Sequence, residues 1–245
     1  MRCQPSTLQR FYIWLKNNQT CLLCDEPADT AHPICSPCEG DLPWLQERCK
    51  VCALPLALDD MTCGQCLRRP PAFTQVEVPW HYAFPLDSLI GQFKHQGRWP
   101  LGRLLGDLLG QWLQHRYAEG LPRPQRLLPV PMAAKRLRQR GFNQAALLAR
   151  WLASALGIPC DENLLRRPHH RQAQQALNAK ARRHNLQGVF TLAAEDCVEG
   201  QHLAVVDDVL TTGATAHALA QLLRQAGAAR VDIYCLARTP KPNHA

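Results

Sequence analysis

The stretch LAVVDDVLTTGATAHALA, residues 203–220, decides the fold of this chain. Its leading aliphatic residues, Leu203 to Val206, are typical of a central strand in a parallel sheet, and apolar residues recur at helical spacing from Ala214 onward. The polar residues between them therefore lie at a strand-to-helix turn. Ligands bind at such turns in open α/β sheets, because the turns lie at the carboxyl ends of the strands. The stretch thus predicts an α/β fold with a ligand site beside Asp207 and Asp208.

The residues of this turn suit a ribose 5-phosphate. Backbone N–H groups at a helix N-terminus hold a phosphate dianion together with threonine hydroxyls, and carboxylates accept hydrogen bonds from ribose hydroxyls directly or through Mg²⁺. Gly213 lets the backbone approach the phosphate closely. Acids that merely cap a helix are the alternative, but capping would not call for three threonines and a glycine in this order. The predicted site residues are Asp207, Asp208, Thr211, Thr212, Gly213 and Thr215.

Other patterns predict further elements of the same domain. RLLPVPM, residues 126–132, predicts a short buried strand, and a later helix with one apolar face ends at Gly157. The unit that runs from a strand at 203–206 through a helix to a strand at 231–236 predicts a βαβ crossover. A leucine-rich helix carries three glycines at four-residue spacing, which predicts close helix packing: Gly102, Gly106 and Gly110.

Eight of the twelve cysteines form two sets of the form C-x₂-C-x₁₀-C-x₂-C. No export signal opens the chain and the cytosol keeps thiols reduced, so metal binding explains these cysteines better than a disulfide framework. Four thiolates suit one tetrahedral zinc ion, and metal binding supplies folding free energy that a core of this size lacks. Redox chemistry is the rival reading, and interleaved pairing of the two sets is a second arrangement. About two zinc ions are expected, held by Cys21, Cys24, Cys35 and Cys38 and by Cys49, Cys52, Cys63 and Cys66.

Charge is distributed unevenly along the chain. Residues 135–184 carry eleven Lys/Arg and two Asp/Glu, a net charge of +9, although the whole chain carries only +8. So basic a block predicts an anionic partner, either a polyphosphate or a nucleic-acid backbone. Residues 1–70 carry seven Lys/Arg and eight Asp/Glu. Two four-thiolate zinc sites would take their net charge to about −5, which predicts a structural or partner-docking module there.

The Pro-rich segment RRPPAF, residues 68–73, is typical of a linker. It divides a cysteine module with its N-terminal lead-in, residues 1–70, from a second domain, residues 71–245. No segment approaches the roughly eighteen consecutive apolar residues that a membrane helix needs. The protein is therefore expected to be cytoplasmic, without membrane insertion.

VVDDVLTTGAT resembles the 5-phosphoribosyl 1-pyrophosphate (PRPP) signature of type I phosphoribosyltransferases. With PVPMAAKRLRQRGFNQAALLA, QQAL…RRHNLQGVF and the double cysteine module, the chain resembles the ComF/GntX family. Members of that family are linked to DNA uptake in natural competence and to use of DNA as a nutrient. The resemblance implies a type I phosphoribosyltransferase-like parallel-sheet domain preceded by a small double zinc-ribbon module.

The resemblance also implies residue roles. It assigns the two acids to the ribose, and residues 211–215, Ala214 included, to the 5-phosphate of PRPP bound with Mg²⁺. The loop after the first core strand, Met132–Arg140, would meet the pyrophosphate through Lys135, Arg136 and Arg140. A mobile loop is expected at Arg166–Arg183, where HHRQAQ departs from the family pattern.

Two functions are compatible with these patterns. One is a protein with a PRPP-type pocket that handles incoming single-stranded DNA and docks DNA-uptake proteins through its zinc module. The alternative is an active phosphoribosyltransferase that transfers ribose 5-phosphate from PRPP to a nucleobase in salvage. Only about nine residues follow the last predicted strand, so the N-terminal region would have to select the base, and the sequence shows no base-binding site. Phe142 either stacks on a DNA base or is buried at a helix start. The first function is favoured.

Overall fold

The structure, a computed structural model, describes residues 19–58, 61–168, 189–193 and 198–240. Most of the predicted mobile loop lies outside the described residues. The strands are β1 (Gln75–Glu77), β2 (Trp80–His81), β3 (Arg126–Pro129), β4 (Leu165–Arg166), β5 (Thr191–Leu192), β6 (His202–Leu210) and β7 (Arg230–Arg238). The helices are α1 (Ser36–Gly40), α2 (Gly64–Arg68), α3 (Leu86–Gln96), α4 (Trp99–Ala118), α5 (Ala134–Arg140), α6 (Gln144–Leu156) and α7 (Ala214–Gln225).

The central sheet is parallel and has the order β1–β7–β6–β3. β2 pairs with β7 beyond the end of β1, so β1 and β2 form one interrupted edge. Pro79 lies in the interruption, and a proline has no N–H to donate to a neighbouring strand. A separate antiparallel pair joins β4 and β5. The predicted α/β fold with a parallel sheet is confirmed.

β6 is longer than the predicted strand at 203–206. It pairs with β7 up to Leu210, and Asp207 lies opposite Cys235 in the register. The acids therefore lie within the strand, and the turn itself begins at Thr211. The prediction that placed the acids in the turn is wrong, because a full-length neighbouring strand offers hydrogen-bond partners to their backbone.

Alternate residues of β6 enter two different cores, as a strand covered on both faces requires. Leu203 and Val205 pack in the core that includes Leu219 and Leu223 of α7. Ala204 and Val206 pack in the core formed with α3, α4 and α6. The sheet is therefore a middle layer, and its carboxyl edge is left for a site.

The segment Met132–Arg140, predicted as a loop, is mostly the helix α5. Its sequence AKRLRQR consists of good helix formers. Gly141 ends the helix in the left-handed conformation, with φ 83°. The cations of this segment therefore stand on a short rigid element.

The glycines of α4 allow close packing, as predicted. A Cβ at Gly102 would lie 2.5 Å from the ring of Phe93 on α3, and one at Gly106 would lie 3.1 Å from Trp151 on α6. A Cβ at Gly110 would lie 3.2 Å from Ala155. The hydrogen atoms of these glycines let three helices approach one another.

The cysteine module shares a core with the second half of the chain. Cys21, Ile34 and Leu42 belong to the same buried cluster as the helices α3, α4 and α6. Residues 43–45 run antiparallel to β2, and the Trp44 ring lies 5.4 Å from the Trp80 ring. The module therefore covers the β1/β2 edge of the sheet.

Candidate functional site

A cavity of about 220 Å³ opens at the carboxyl edge of the sheet. Acids from β6 form one wall, and the segment from Val130 to α5, with the start of α6, forms another. Its charged and hydroxyl-bearing lining residues are Lys94, Arg136, Arg140, Arg167, Asp207, Asp208 and Thr215. Four cations and two acids thus surround a space at the position where such sheets bind ligands.

Asp208 is the most constrained acid of the cavity. The residue is only 4% exposed, and its Oδ2 has no hydrogen-bond partner among the described residues. Its Oδ1 lies 3.0 Å from Nζ of Lys94, which reaches across from the end of α3. A buried carboxylate oxygen without a partner is costly, so this oxygen favours a further donor or a cation beside it.

Asp207 is held by its neighbour. Its Oδ1 accepts a hydrogen bond of 2.9 Å from the backbone N–H of Asp208. Burial, with the negative charge of Asp208 as a second cause, raises the pKa of Asp207 to about 8. Two adjacent carboxyl groups of this kind favour a cation or hydroxyl donors between them.

The structure brings part of the predicted site together. Arg136, Arg140 and Thr215 line the cavity with the two acids. Gly213 precedes α7 with φ 78°, and a Cβ there would meet no other atom within 4 Å. The predicted residues that lie outside the lining of the cavity are Lys135, Thr211, Thr212, Gly213 and Ala214.

Sequence reasoning did not name Lys94 or the start of α6 as site residues, and it included Arg167 only as part of the expected mobile loop. Asn143 caps α6 by accepting from the N–H of Ala145 at 3.1 Å, and its amide donates to the carbonyl of Val130 at 3.0 Å. The dipeptide Asn143-Gln144 is a recognisable helix-start signal. Lys94 has no such signal, because the contact joins elements that are distant in sequence.

The eight cysteines of the CxxC pairs form two clusters of four. In each cluster the four sulfurs lie within 4.8 Å of one another. The sulfurs of Cys24 and Cys35 are 3.6 Å apart, and those of Cys52 and Cys63 are 3.7 Å apart. Tetrahedral zinc with Zn–S bonds of about 2.3 Å needs sulfurs about 3.8 Å apart. Both clusters fit zinc, and their membership is sequential rather than interleaved.

The two clusters are built alike. In each, the first cysteine N–H bonds a carbonyl five residues later, Cys21 to Glu26 and Cys49 to Leu54. The residue after the second cysteine has a left-handed backbone, with φ 63° at Asp25 and 51° at Ala53. A short helix follows the third cysteine of each set. The sequence repeat is therefore a structural repeat.

Backbone amides favour the thiolate form of the first cysteine in each set. The N–H of Leu23 lies 3.4 Å from Sγ of Cys21, and the N–H of Cys63 lies 3.3 Å from Sγ of Cys49. Burial would raise the pKa of these thiols, but the backbone donors outweigh it, so the pKa is about 6 for Cys21 and about 7 for Cys49. A thiolate is the form that binds metal.

Arg238 joins the second cluster to the candidate site. Its Nε donates to the carbonyl of Cys52 at 3.0 Å. Its Nη1 donates to the carbonyls of Leu210, at 3.0 Å, and of Thr211. One buried guanidinium thus holds a cysteine turn against the start of the loop that follows β6.

Within the described ranges, no helix combines the length and the apolar character needed to cross a bilayer.

Comparison with known proteins agrees with this architecture. The double zinc ribbon domain family matches residues 18–67, and the phosphoribosyl transferase domain family matches residues 143–244. DNA utilization protein YhgH of Salmonella typhi is 38% identical over 221 residues, which are 89% of this chain and 96% of that protein. Competence protein F of Haemophilus influenzae is 35% identical over 209 residues, 84% of this chain and 90% of that protein. Among solved structures, glutamine PRPP amidotransferase from B. subtilis covers 55% of this chain and 25% of its own, with 21% identity and a TM-score of 0.35.

The fold and the two four-cysteine clusters define a type I phosphoribosyltransferase-like domain preceded by a double zinc ribbon. The chain belongs to the ComF/GntX family, whose relatives found here are named for DNA utilization and competence.

Proposed function

We propose that this protein handles incoming single-stranded DNA and that its cavity binds PRPP with Mg²⁺. The observation that carries the PRPP assignment is the buried Oδ2 of Asp208, which has no partner within the described chain. A ribose hydroxyl is a donor of the required kind, and PRPP presents two neighbouring hydroxyls.

The charges around the acids match the rest of PRPP. Arg136, Arg140 and Arg167 line the same cavity, so a diphosphate would lie among guanidinium groups that bind phosphate oxygens in pairs. Thr215 and the N-terminus of α7 stand where the 5-phosphate would lie, following β6. Magnesium bound with PRPP would be held by Asp207 and Asp208 and would screen the diphosphate charge.

The cations of α5 support the DNA assignment. Lys135, Arg136 and Arg138 are exposed, and none of them has an acidic partner among the described residues. Two other surface arginines are neutralised, Arg103 by Asp107 at 2.8 Å and Arg150 by Glu162 at 2.5 Å. Unpaired cations on one short helix favour a phosphate backbone as partner.

A salt titration of single-stranded DNA binding tests this assignment. Fluorescence anisotropy with a labelled oligonucleotide should give a log–log salt slope of about −3 to −4 for roughly five contacted phosphates. Changing Arg136, Arg138 and Arg140 to Ala should flatten the slope by about two units. The matched control changes Arg103 to Ala, which removes a cation already paired with an acid and should leave the slope unchanged. A flat salt response of the unchanged protein would contradict DNA handling.

The alternative is an active phosphoribosyltransferase. Lys94 favours it, because the N-terminal half of the chain supplies this lining residue from α3, where a base-selecting cover would be needed. PRPP-dependent pyrophosphate release, measured across a panel of nucleobases, separates the two. Release with any base supports the enzyme, and PRPP binding without release supports a binding pocket.

Two wider assignments accompany the proposal. Zinc thiolates persist in a reducing compartment, so we place the protein in the cytoplasm. The acidic zinc module is proposed to dock a protein of the DNA-uptake machinery rather than the DNA itself.

A further inference from the structure

An exposed aromatic ring stands beside the cations of α5. Trp99 is the first residue of α4 and is 50% exposed. Its ring centroid lies 5.8 Å from that of Phe142, which in turn lies 5.6 Å from the buried Phe93. Three tilted rings therefore contact one another from the core outward, and exposure rises from the buried Phe93 through the partly buried Phe142 to the half-exposed Trp99.

This stack fixes the position of Trp99. Phe93 is fully buried and also contacts Trp151 at a centroid distance of 5.9 Å, so the base of the stack is anchored to α6. A ring held in place loses little conformational entropy when a flat ligand covers it. The half-exposed indole is thus held in a fixed position in which a flat ligand can stack on it.

The surroundings of the ring are cationic. Gly141 ends α5, and Phe142 is the next residue, so the stack begins where the row of Lys135, Arg136, Arg138 and Arg140 stops. Arg98 precedes Trp99 and donates to Oε1 of Gln92 at 2.7 Å, which leaves its charge without an acidic partner in the described part of the chain. A partner that covers the indole and also reaches Arg98 and α5 would be favoured by negative charge.

We propose that Trp99 stacks on a base of single-stranded DNA whose phosphates lie along α5 and beside Arg98. The inference rests on the proposed DNA-handling function and names its base-contacting subsite. Nucleic acid fits because it alternates flat bases with phosphates, and stacking on an aromatic ring tolerates every base. A free nucleobase would leave the cations unmatched.

Two oligonucleotides separate stacking from charge. One is a labelled oligo(dT), and the other is an abasic strand of the same length and charge. The unchanged protein should bind oligo(dT) at least about fivefold more tightly, because one stacked base contributes about 1 kcal/mol or more. Trp99→Ala should remove most of this preference while binding of the abasic strand and its salt slope stay the same. Trp99→Phe should keep most of the preference.

The control is Phe84→Ala, which removes a ring that is 79% exposed and lies before the other end of α3. It should leave both affinities unchanged, and an equal loss there would overturn the assignment. Unfolding temperature and near-ultraviolet circular dichroism confirm that each variant is folded.

A preference for oligo(dT) that survives Trp99→Ala, or an equal loss of affinity for both strands, overturns the subsite alone. Failure of the unchanged protein to bind either strand overturns the DNA-handling function and the subsite with it. Binding of free nucleobases that Trp99→Ala abolishes, without a change for oligo(dT), would assign the ring to a base acceptor instead.

Discussion

Two glycines in neighbouring helices differ in whether the space around them admits a larger side chain. Gly102 in α4 faces the Phe93 ring at a distance that admits no methyl group, whereas nothing lies within 4 Å of a Cβ at Gly91 in α3. Both are helical, so both would gain helix propensity from alanine. The difference between them therefore isolates the close helix contact.

Alanine at these two positions should shift stability in opposite directions. Gly91→Ala should stabilise the protein by about 0.5–1 kcal/mol, because it lowers the entropy of the unfolded chain. Gly102→Ala should destabilise it by about 1–3 kcal/mol, because the buried Phe93 ring must move. Urea unfolding measures both. Equal effects of the two variants would contradict the packing of α4 on α3.

The acids of β6 could be recognised from the sequence, but the residues that surround them in the fold could not. Asp207 and Asp208 stand out because carboxylates interrupt an aliphatic strand. The ion pair of Asp208 with Lys94 has no local signal, since α3 meets β6 only after the chain has folded. The sequence therefore identified the two acids as site residues, but it could not show that Lys94 neutralises the charge of Asp208.

At the scale of elements, the helices and strands that the sequence predicts are those whose apolar residues recur with a clear period. The helices α4, α6 and α7 carry apolar faces, and α6 ends at a left-handed Gly157 as predicted. β1 and β2 span three and two residues and are strands only because β7 pairs with them. The strand pair β4–β5 is equally short. Tertiary pairing, which has no local signature, decides such elements.

The segment that forms α5 was expected to be basic, which it is, but it was expected to be a loop and is a helix. The segment was expected as a loop because the family resemblance assigns the loop after the first core strand to the pyrophosphate. Its Ala, Leu, Lys, Arg and Gln residues all favour helix, and Gly141 supplies the stop. A helix fixes the cations in one array, and this array is the reason to expect a steep salt dependence of DNA binding.

At the scale of the whole molecule, the zinc module and the phosphoribosyltransferase-like domain form one stability unit. Cys21 and Cys35 are part of the core beneath α3 and α4. Arg238 and residues 43–45 add polar and backbone links between the two parts. Loss of zinc should therefore destabilise both parts of the chain.

Chelation of zinc under reducing conditions should lower the unfolding temperature of the entire protein in a single calorimetric transition. Structural zinc contributes on the order of 10 kcal/mol to small modules, and the shared core would lose part of its cover. Native mass spectrometry should find about two zinc ions before chelation, and added zinc should restore the transition. A second transition that stays at the original temperature would show that the two parts are independent.

The central claim is that the acids of β6 belong to a PRPP pocket and do not contact the DNA. Calorimetry with PRPP and Mg²⁺, and anisotropy with a labelled oligonucleotide, should be run on the same preparation of Asp207→Asn/Asp208→Asn. PRPP affinity should fall at least tenfold, about 1.4 kcal/mol, because charge-assisted hydrogen bonds to the ribose are lost. DNA affinity should stay level or rise slightly, because the variant removes the negative charge of Asp208 and that of Asp207 where Asp207 is ionised. Unchanged PRPP affinity in a folded double variant would contradict the claim.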